Sequence, residues 1–119
     1  MNESKSILIV DDDIATLSII KKFLKIIKYN NVTCESDVVQ AIKICKTKQF
    51  DILILDIIMP RIDGFSFLEQ LEFKPIVIGI TGYPNFNDKQ LKVFDYFLSK
   101  PFTRLQFEDL IKQIENDYR

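Results

Sequence analysis

The feature that most constrains this chain is a pair of short, unbroken aliphatic runs, each ending on acid. Ile7-Leu8-Ile9-Val10 leads into Asp11-Asp12-Asp13, and Ile52-Leu53-Ile54-Leu55 leads into Asp56. A run of this length that is apolar at every position reads as a strand covered on both faces, as in a parallel sheet. In open α/β sheets, chemistry gathers at the carboxyl ends of the strands. Both acidic ends therefore belong at one sheet edge. Carboxylates crowded there repel one another unless a cation sits among them. A hard divalent ion takes oxygen ligands. Asp11, Asp12 and Asp56 are thus candidate ligands of an Mg²⁺-type ion, with Mn²⁺ as a substitute.

Strand and helix patterns alternate along the chain. Strands are predicted at Ile7–Val10, Val32–Glu35, 52–55, 76–80 and 96–98. From Ile14 to Lys28, Leu17, Ile20, Leu24 and Ile27 recur at helical spacing, opposite a face of Lys21, Lys22, Lys25 and Lys28. That lysine face is a solvated surface, or a docking aid for a partner. Asp37 is placed to cap a helix running to Lys46. A third helix is expected from Phe65 to Phe73, ended by Lys74-Pro75. Asn87 or Asp88 opens a short fourth, and Thr103 caps a fifth reaching about Asp117. Repeated strand–helix units predict an α/β fold, a doubly wound parallel sheet with helices on both faces and right-handed crossovers.

Length and composition narrow the function classes. The 119 residues suit one domain, read as spanning residues 1–119. A net charge of −1 gives no electrostatic case for direct nucleic-acid contact or an anionic membrane. No apolar run is long enough for a membrane helix, and the N-terminus has no signal-peptide core, so a cytoplasmic location is expected. With no His, there is no Ser-His-Asp triad and no common general base. Cys34 and Cys45 are too few for a disulfide framework and lack zinc-ligand company, so they read as packing residues. Three glycines leave no G-x-G-x-x-G for a dinucleotide.

Further residues fall at the same edge. Thr81 follows the fourth strand, and Gly82 after it leaves the site open. Lys100 follows the fifth strand and precedes Pro101, while Asp63-Gly64 closes a turn after Met59-Pro60. A carboxylate nucleophile, a divalent cation, a hydroxyl and an ammonium together suit handling of a phosphoryl group, with an aspartyl phosphate as the covalent form.

These residues resemble the receiver domain of two-component response regulators. The matching pieces are Ile9-Val10-Asp11-Asp12-Asp13, Asp56-Ile57-Ile58-Met59-Pro60-Arg61-Ile62-Asp63-Gly64, Thr81-Gly82 and Leu98-Ser99-Lys100-Pro101-Phe102. The resemblance implies a flavodoxin-like sheet of order 2-1-3-4-5. It implies that Asp56 accepts a phosphoryl group from a phosphohistidine of a sensor histidine kinase or a histidine phosphotransfer protein. Asp11 and Asp12 would hold Mg²⁺ with the backbone carbonyl of Ile58. Thr81 and Lys100 would bind phosphoryl oxygens, and Phe97 would turn inward as Thr81 moves, altering the surface offered to a downstream target protein. Such a protein is a signalling switch rather than an enzyme.

The chain departs from the family pattern in places. The gap from Thr81 to Lys100 is a few residues short, with Val93-Phe94-Asp95 before the last strand, so the fourth helix is expected to be short or irregular. Apolar Ile58 and Tyr83 are expected to restrict hydrolytic water and lengthen the life of the phosphorylated state. Two alternatives accompany this reading. One is a degenerate receiver acting as a constitutive interaction module. The other is an Mg-dependent aspartyl-phosphate phosphatase of the haloacid-dehalogenase type, suggested by the D-x-D within residues 11–13.

Overall fold

The structure is a computed structural model that describes residues 4–82 and 85–118. In chain order the elements are β1 (Ile7–Val10), α1 (Ile14–Ile26), β2 (Val32–Glu35), α2 (Val38–Thr47), β3 (Ile52–Asp56), α3 (Gly64–Glu69), β4 (Ile76–Thr81), α4 (Asp88–Leu91), β5 (Tyr96–Ser99) and α5 (Arg104–Asp117). The strands form one parallel sheet of order β2-β1-β3-β4-β5, as the resemblance implies.

The aliphatic runs earn their uniformity by facing two cores. Ile7, Ile9, Ile52, Ile54, Ile78 and Ile80 point to the side covered by α1 and α5, where they meet Leu17, Ile20, Leu24, Phe107 and Ile111. Leu8, Val10, Leu53, Leu55 and Val77 point to the other side, against Val38, Ala41, Phe67 and Phe94. Full burial of each such side chain contributes about 1.5–3 kcal/mol. A polar residue within β1 or β3 would therefore cost stability whichever face it took. At the far end of the sheet, Ser6 N–H and Oγ–H both donate to Asp51 Oδ2, at 2.8 and 3.2 Å, fixing the start of β3 beside β1.

Helix starts follow the expected caps. Asp13, Asp37 and Thr103 each accept backbone N–H groups of the first turn, and Asn87 and Thr103 form full capping boxes with Gln90 and Gln106. Helix ends differ from the sequence reading. The first helix stops at Ile26 because Lys28 takes a left-handed φ of 70°. Tyr29 N–H then bonds to Leu24 O at 2.9 Å and Lys28 N–H to Lys25 O at 3.0 Å, a Schellman closure. It turns Tyr29 into the core, where its hydroxyl donates to Glu115 at 2.5 Å. The third helix stops at Glu69 instead of Phe73. Leu71 and Phe73 leave the helix to pack on the core beside Val77, and Pro75 fixes an extended approach to β4. The fourth helix is a single turn of four residues, as its spacing foretold.

Candidate functional site

Three strands run one residue further than the apolar patterns suggested, and two of the added residues, Asp56 and Thr81, belong to the site. Asp56 ends β3, Thr81 ends β4 and Ser99 ends β5. Register places Asp56 beside Ile80 and Thr81 beside Ser99. Lys100 follows β5, its N–H bonded to Thr81 O at 2.9 Å, and the Lys100–Pro101 peptide is cis.

The sheet edge gathers the acids that its topology predicts. Asp11, Asp12 and Asp56 each offer a carboxylate oxygen within 4.8 Å of the others. Asp11 is fully buried and Asp56 nearly so, while Asp12 is exposed. The two buried acids are held alike. Asp13 N–H donates to Asp11 Oδ1 at 2.9 Å, and Ile58 N–H donates to Asp56 Oδ1 at 3.2 Å. Their Oδ2 atoms face Lys100 Nζ, at 2.9 Å from Asp11 and 3.4 Å from Asp56. Asp11 Oδ2 has no hydrogen bond, so an ion-pair contact alone offsets its burial.

Electrostatics follow from that crowding. Burial, and then the neighbouring Asp11 carboxylate, push Asp56 up to about 7, against the pull of Lys100 and the Ile58 amide. Burial lowers Lys100, but its contacts with Asp11 and Asp56 outweigh this and raise it. A hydrogen-bond-free buried oxygen beside two more carboxylates suits a hard divalent cation, which would supply the positive charge that one ammonium shares too thinly. Asp13 stands apart from this group. Its exposed carboxylate accepts from Thr16 Oγ1–H and Ala15 N–H, which hold it below the usual range. Asp13 thus serves as the N-cap of α1.

The loop after Asp56 is built tightly. Gly64 N–H donates to Ile57 O at 2.8 Å, and a Cβ on Gly64 would lie 3.0 Å from Ile57 Cα and 3.2 Å from Asp56 O. Asp63-Gly64 opens α3 rather than merely closing a turn, since Asp63 caps it by accepting from Ser66 N–H at 2.9 Å. Between them, Ile62 N–H donates to Pro60 O at 2.9 Å across a three-residue turn centred on Arg61, whose φ is 71°. Nothing in the sequence signals this left-handed arginine. Ile58 is 47% exposed beside Asp56. Among the described residues, a Cβ on Gly82 would meet only Lys100 Cβ, at 4.0 Å. Tyr83 lies outside the described residues.

Thr81 is buried and Phe97 is 37% exposed. Phe97 pairs with Gly79 across the β4–β5 ladder and packs on Phe94, ring centroids 5.3 Å apart. Phe94 in turn meets Phe65, which meets Phe86. The sequence reading missed this row of rings because its members come from three separate segments. Gly79 makes room for it, since a Cβ there would lie 2.9 Å from the Phe94 ring. Cys34 and Cys45 are half-buried packing residues whose thiols burial pushes up, Cys45 to about 11.

Similar solved structures share this architecture. A response regulator receiver domain protein (CheY-like) from Methanospirillum hungatei JF-1 superposes with a TM-score of 0.83 at 27% identity, covering 95% of this chain and 94% of that one. The receiver domain of sensor histidine kinase PA1611 from Pseudomonas aeruginosa PAO1, described with a magnesium ion coordinated in its active-site cleft, gives 0.78 at 24% identity, covering 92% and 95%. A family model described as the response regulator receiver domain matches residues 7–115, and the chain belongs to that family. Among curated relatives, the response regulator GtcR of Aneurinibacillus migulanus is 35% identical over 87% of this chain and 44% of its own length. The transcription factor SKN7 of Candida albicans is 31% identical over 87% of this chain and 19% of its own. The chain thus spans less than half of these relatives. It is a two-component receiver, a class of signalling switch rather than of conventional enzymes. Among the described residues no helix is long and apolar enough to cross a membrane.

Proposed function

We propose that residues 1–119 act as one phosphoacceptor unit in a phosphorelay, with Asp56 as the acceptor. The observation that carries this reading is the Lys100 ammonium set between the Oδ2 atoms of Asp11 and Asp56 at the carboxyl ends of β1 and β3. In transfer, an Asp56 carboxylate oxygen forms the new P–O bond as the P–N bond to a donor imidazole breaks, and the electron pair returns to the imidazole nitrogen. Asp11, Asp12, Asp56 and the Ile58 carbonyl would hold Mg²⁺, which when bound neutralises phosphoryl oxygens. Lys100 meets a second oxygen and the Thr81 hydroxyl donates to a third. The donor is a sensor histidine kinase or a histidine phosphotransfer protein, in keeping with a hybrid histidine kinase among the relatives. The phosphoryl group adds about −1.5 to −2 charges. Drawing Thr81 toward it vacates space for Phe97 and biases the surface of α4, β5 and α5 that a downstream target reads.

Intact mass after incubation with Mg²⁺ and a small phosphodonor tests this. The wild type gains one phosphoryl group, and neither Asp56→Asn nor the chelated protein does. A protein that binds Mg²⁺ yet gains no mass would instead be a constitutive interaction module.

A further inference from the structure

Two aromatic rings meet at one place on the sheet, and only one of them occupies it. Along β4, Val77, Gly79 and Thr81 alternate onto the same face, the one that Val77 packs against Phe67 of α3. Gly79 leaves a gap one side chain wide between the other two. In the β4–β5 register, Phe97 is the residue beside that gap. Yet Phe97 is 37% exposed, and the gap belongs to Phe94, which is 5% exposed. A Cβ on Gly79 would lie 2.9 Å from Phe94 Cδ1, 3.2 Å from Phe94 Cε1 and 3.0 Å from Ile57 Cδ1. A space that cannot take a methyl without movement has no room for a second ring.

Phe94 is held on both sides. Its ring meets Phe65 at 5.4 Å and Phe97 at 5.3 Å between centroids. Its backbone joins two elements of different firmness. Toward β5, Asp95 is clamped to β4, since its N–H donates to Val77 O at 2.9 Å and its Oδ2 accepts from Val77 N–H at 2.8 Å. Toward α4, Phe94 N–H donates to Leu91 O at 3.2 Å and closes the turn after that helix. The α4 helix is a single turn with no buried residue, so it is the side that yields when the ring is pushed.

A Thr81 drawn toward a phosphoryl group opens space two residues farther along β4, not over Gly79. We propose that Phe94 is a positioning residue of the switch: it keeps Phe97 outward by filling the gap over Gly79, and Phe97 turns in only as Phe94 gives way. The contest between the rings rests on packing alone, while its use in signalling rests on the phosphoacceptor reading. Because Phe94 closes the turn after α4, its displacement carries the change into that helix.

The test compares the wild type with Phe94→Leu, Phe97→Leu and the double variant. Phe94→Met, a softer filling of the same gap, is a second variant of the same sign. Ring positions are read by NMR without Mg²⁺ or phosphodonor. Nuclear Overhauser contacts from the Phe97 ring to the Ile57 δ-methyl are expected to strengthen in Phe94→Leu. The second probe is beryllium fluoride, a mimic of the phosphoryl group, titrated with Mg²⁺ present. Phe94→Leu should bind it about fivefold or more tightly than the wild type, because the outward state of Phe97 is no longer favoured. That gain should vanish in the Phe97→Leu background, which a mere loosening of the fold would not produce.

Three results would overturn the proposal: Phe97 contacts unchanged in both Phe94 variants, no gain in affinity for the mimic where the wild type binds it, or an equal gain with Phe97 replaced. If the Phe97 ring moves as expected and the wild type gains no phosphoryl group by intact mass, the ring contest stands and only the phosphoacceptor reading is removed.

Discussion

The Lys100 ammonium lies 2.9 Å from Asp11 Oδ2, a buried oxygen that has no hydrogen bond. This lysine is the ion-pair partner of a fully buried carboxylate. On the proposed phosphoacceptor reading, Asp11 would share a divalent cation with Asp12 and Asp56, and Lys100 would then be available to a phosphoryl oxygen.

Lys100→Met should accordingly destabilise the metal-free protein by about 1–3 kcal/mol, because it leaves Asp11 buried and unpaired. Saturating Mg²⁺ should recover more stability in this variant than in the wild type, without restoring phosphoryl gain. Urea unfolding with chelator and with Mg²⁺ checks it. Equal losses under the two conditions would show that Lys100 is not the partner of Asp11.

The raised Asp56 gives the fold a pH dependence of definite sign. Asp56 stands at about 7 when folded against 3.8 as a free carboxyl. The folded protein therefore holds this proton more tightly than the unfolded chain. Its contribution to stability is complete below about pH 4 and is lost as pH rises through about 7. Asp56→Asn should match the wild type near pH 4 and exceed it by about 1–3 kcal/mol near pH 8. Thermal unfolding of both proteins across pH, in chelator, measures the difference. A gap that does not change with pH would refute the assignment.

Gly79→Ala tests the aromatic row. The new methyl meets the Phe94 ring at 2.9 Å and Ile57 Cδ1 at 3.0 Å, so one must move. Overpacking of this kind costs about 1–3 kcal/mol. Since Phe94 carries Phe97 and Phe65 with it, ring NMR shifts of all these residues should change. Gly82→Ala, whose methyl meets nothing closer than 4.0 Å among the described residues, is the tolerated control. Comparable losses in both would mean that Phe94 is not the constraint.

Ile58 is 47% exposed beside Asp56, and on the proposed phosphoacceptor reading its branched apolar side chain would obstruct hydrolytic water. Ile58→Asn should speed loss of the phosphoryl group several-fold with little change in folding stability. The decay of phosphorylated protein followed by intact mass gives the answer, and an unaltered half-life would assign the barrier to other residues.

Much of the fold and the site is written locally in the chain. Aliphatic runs such as Ile52-Leu53-Ile54-Leu55 can only be strands buried on both sides, and acids at their carboxyl ends must meet once the sheet is parallel. Caps at Asp13, Asp37, Asn87 and Thr103 are local chemistry too, readable within four residues. Helix ends were less legible because tertiary packing sets them. The third helix stops early as Leu71 and Phe73 are used beneath it, and the first because Tyr29 is needed by Glu115 on α5. The Lys100–Asp11 contact was hidden for a related reason. Motif order brings the lysine to the edge, but only side-chain geometry shows which acid it favours.

The two outer strands, β2 and β5, are four residues each. A sheet with so aliphatic an interior would be a template for fibrous self-assembly if its rims were long and bare. Here one rim ends on Glu35, and the other is secured by the Tyr96 hydroxyl bonded to Asp117 at 2.5 Å. Brevity at the margins leaves little bare edge for a neighbour's strands to extend, so the centre can be as sticky as folding requires.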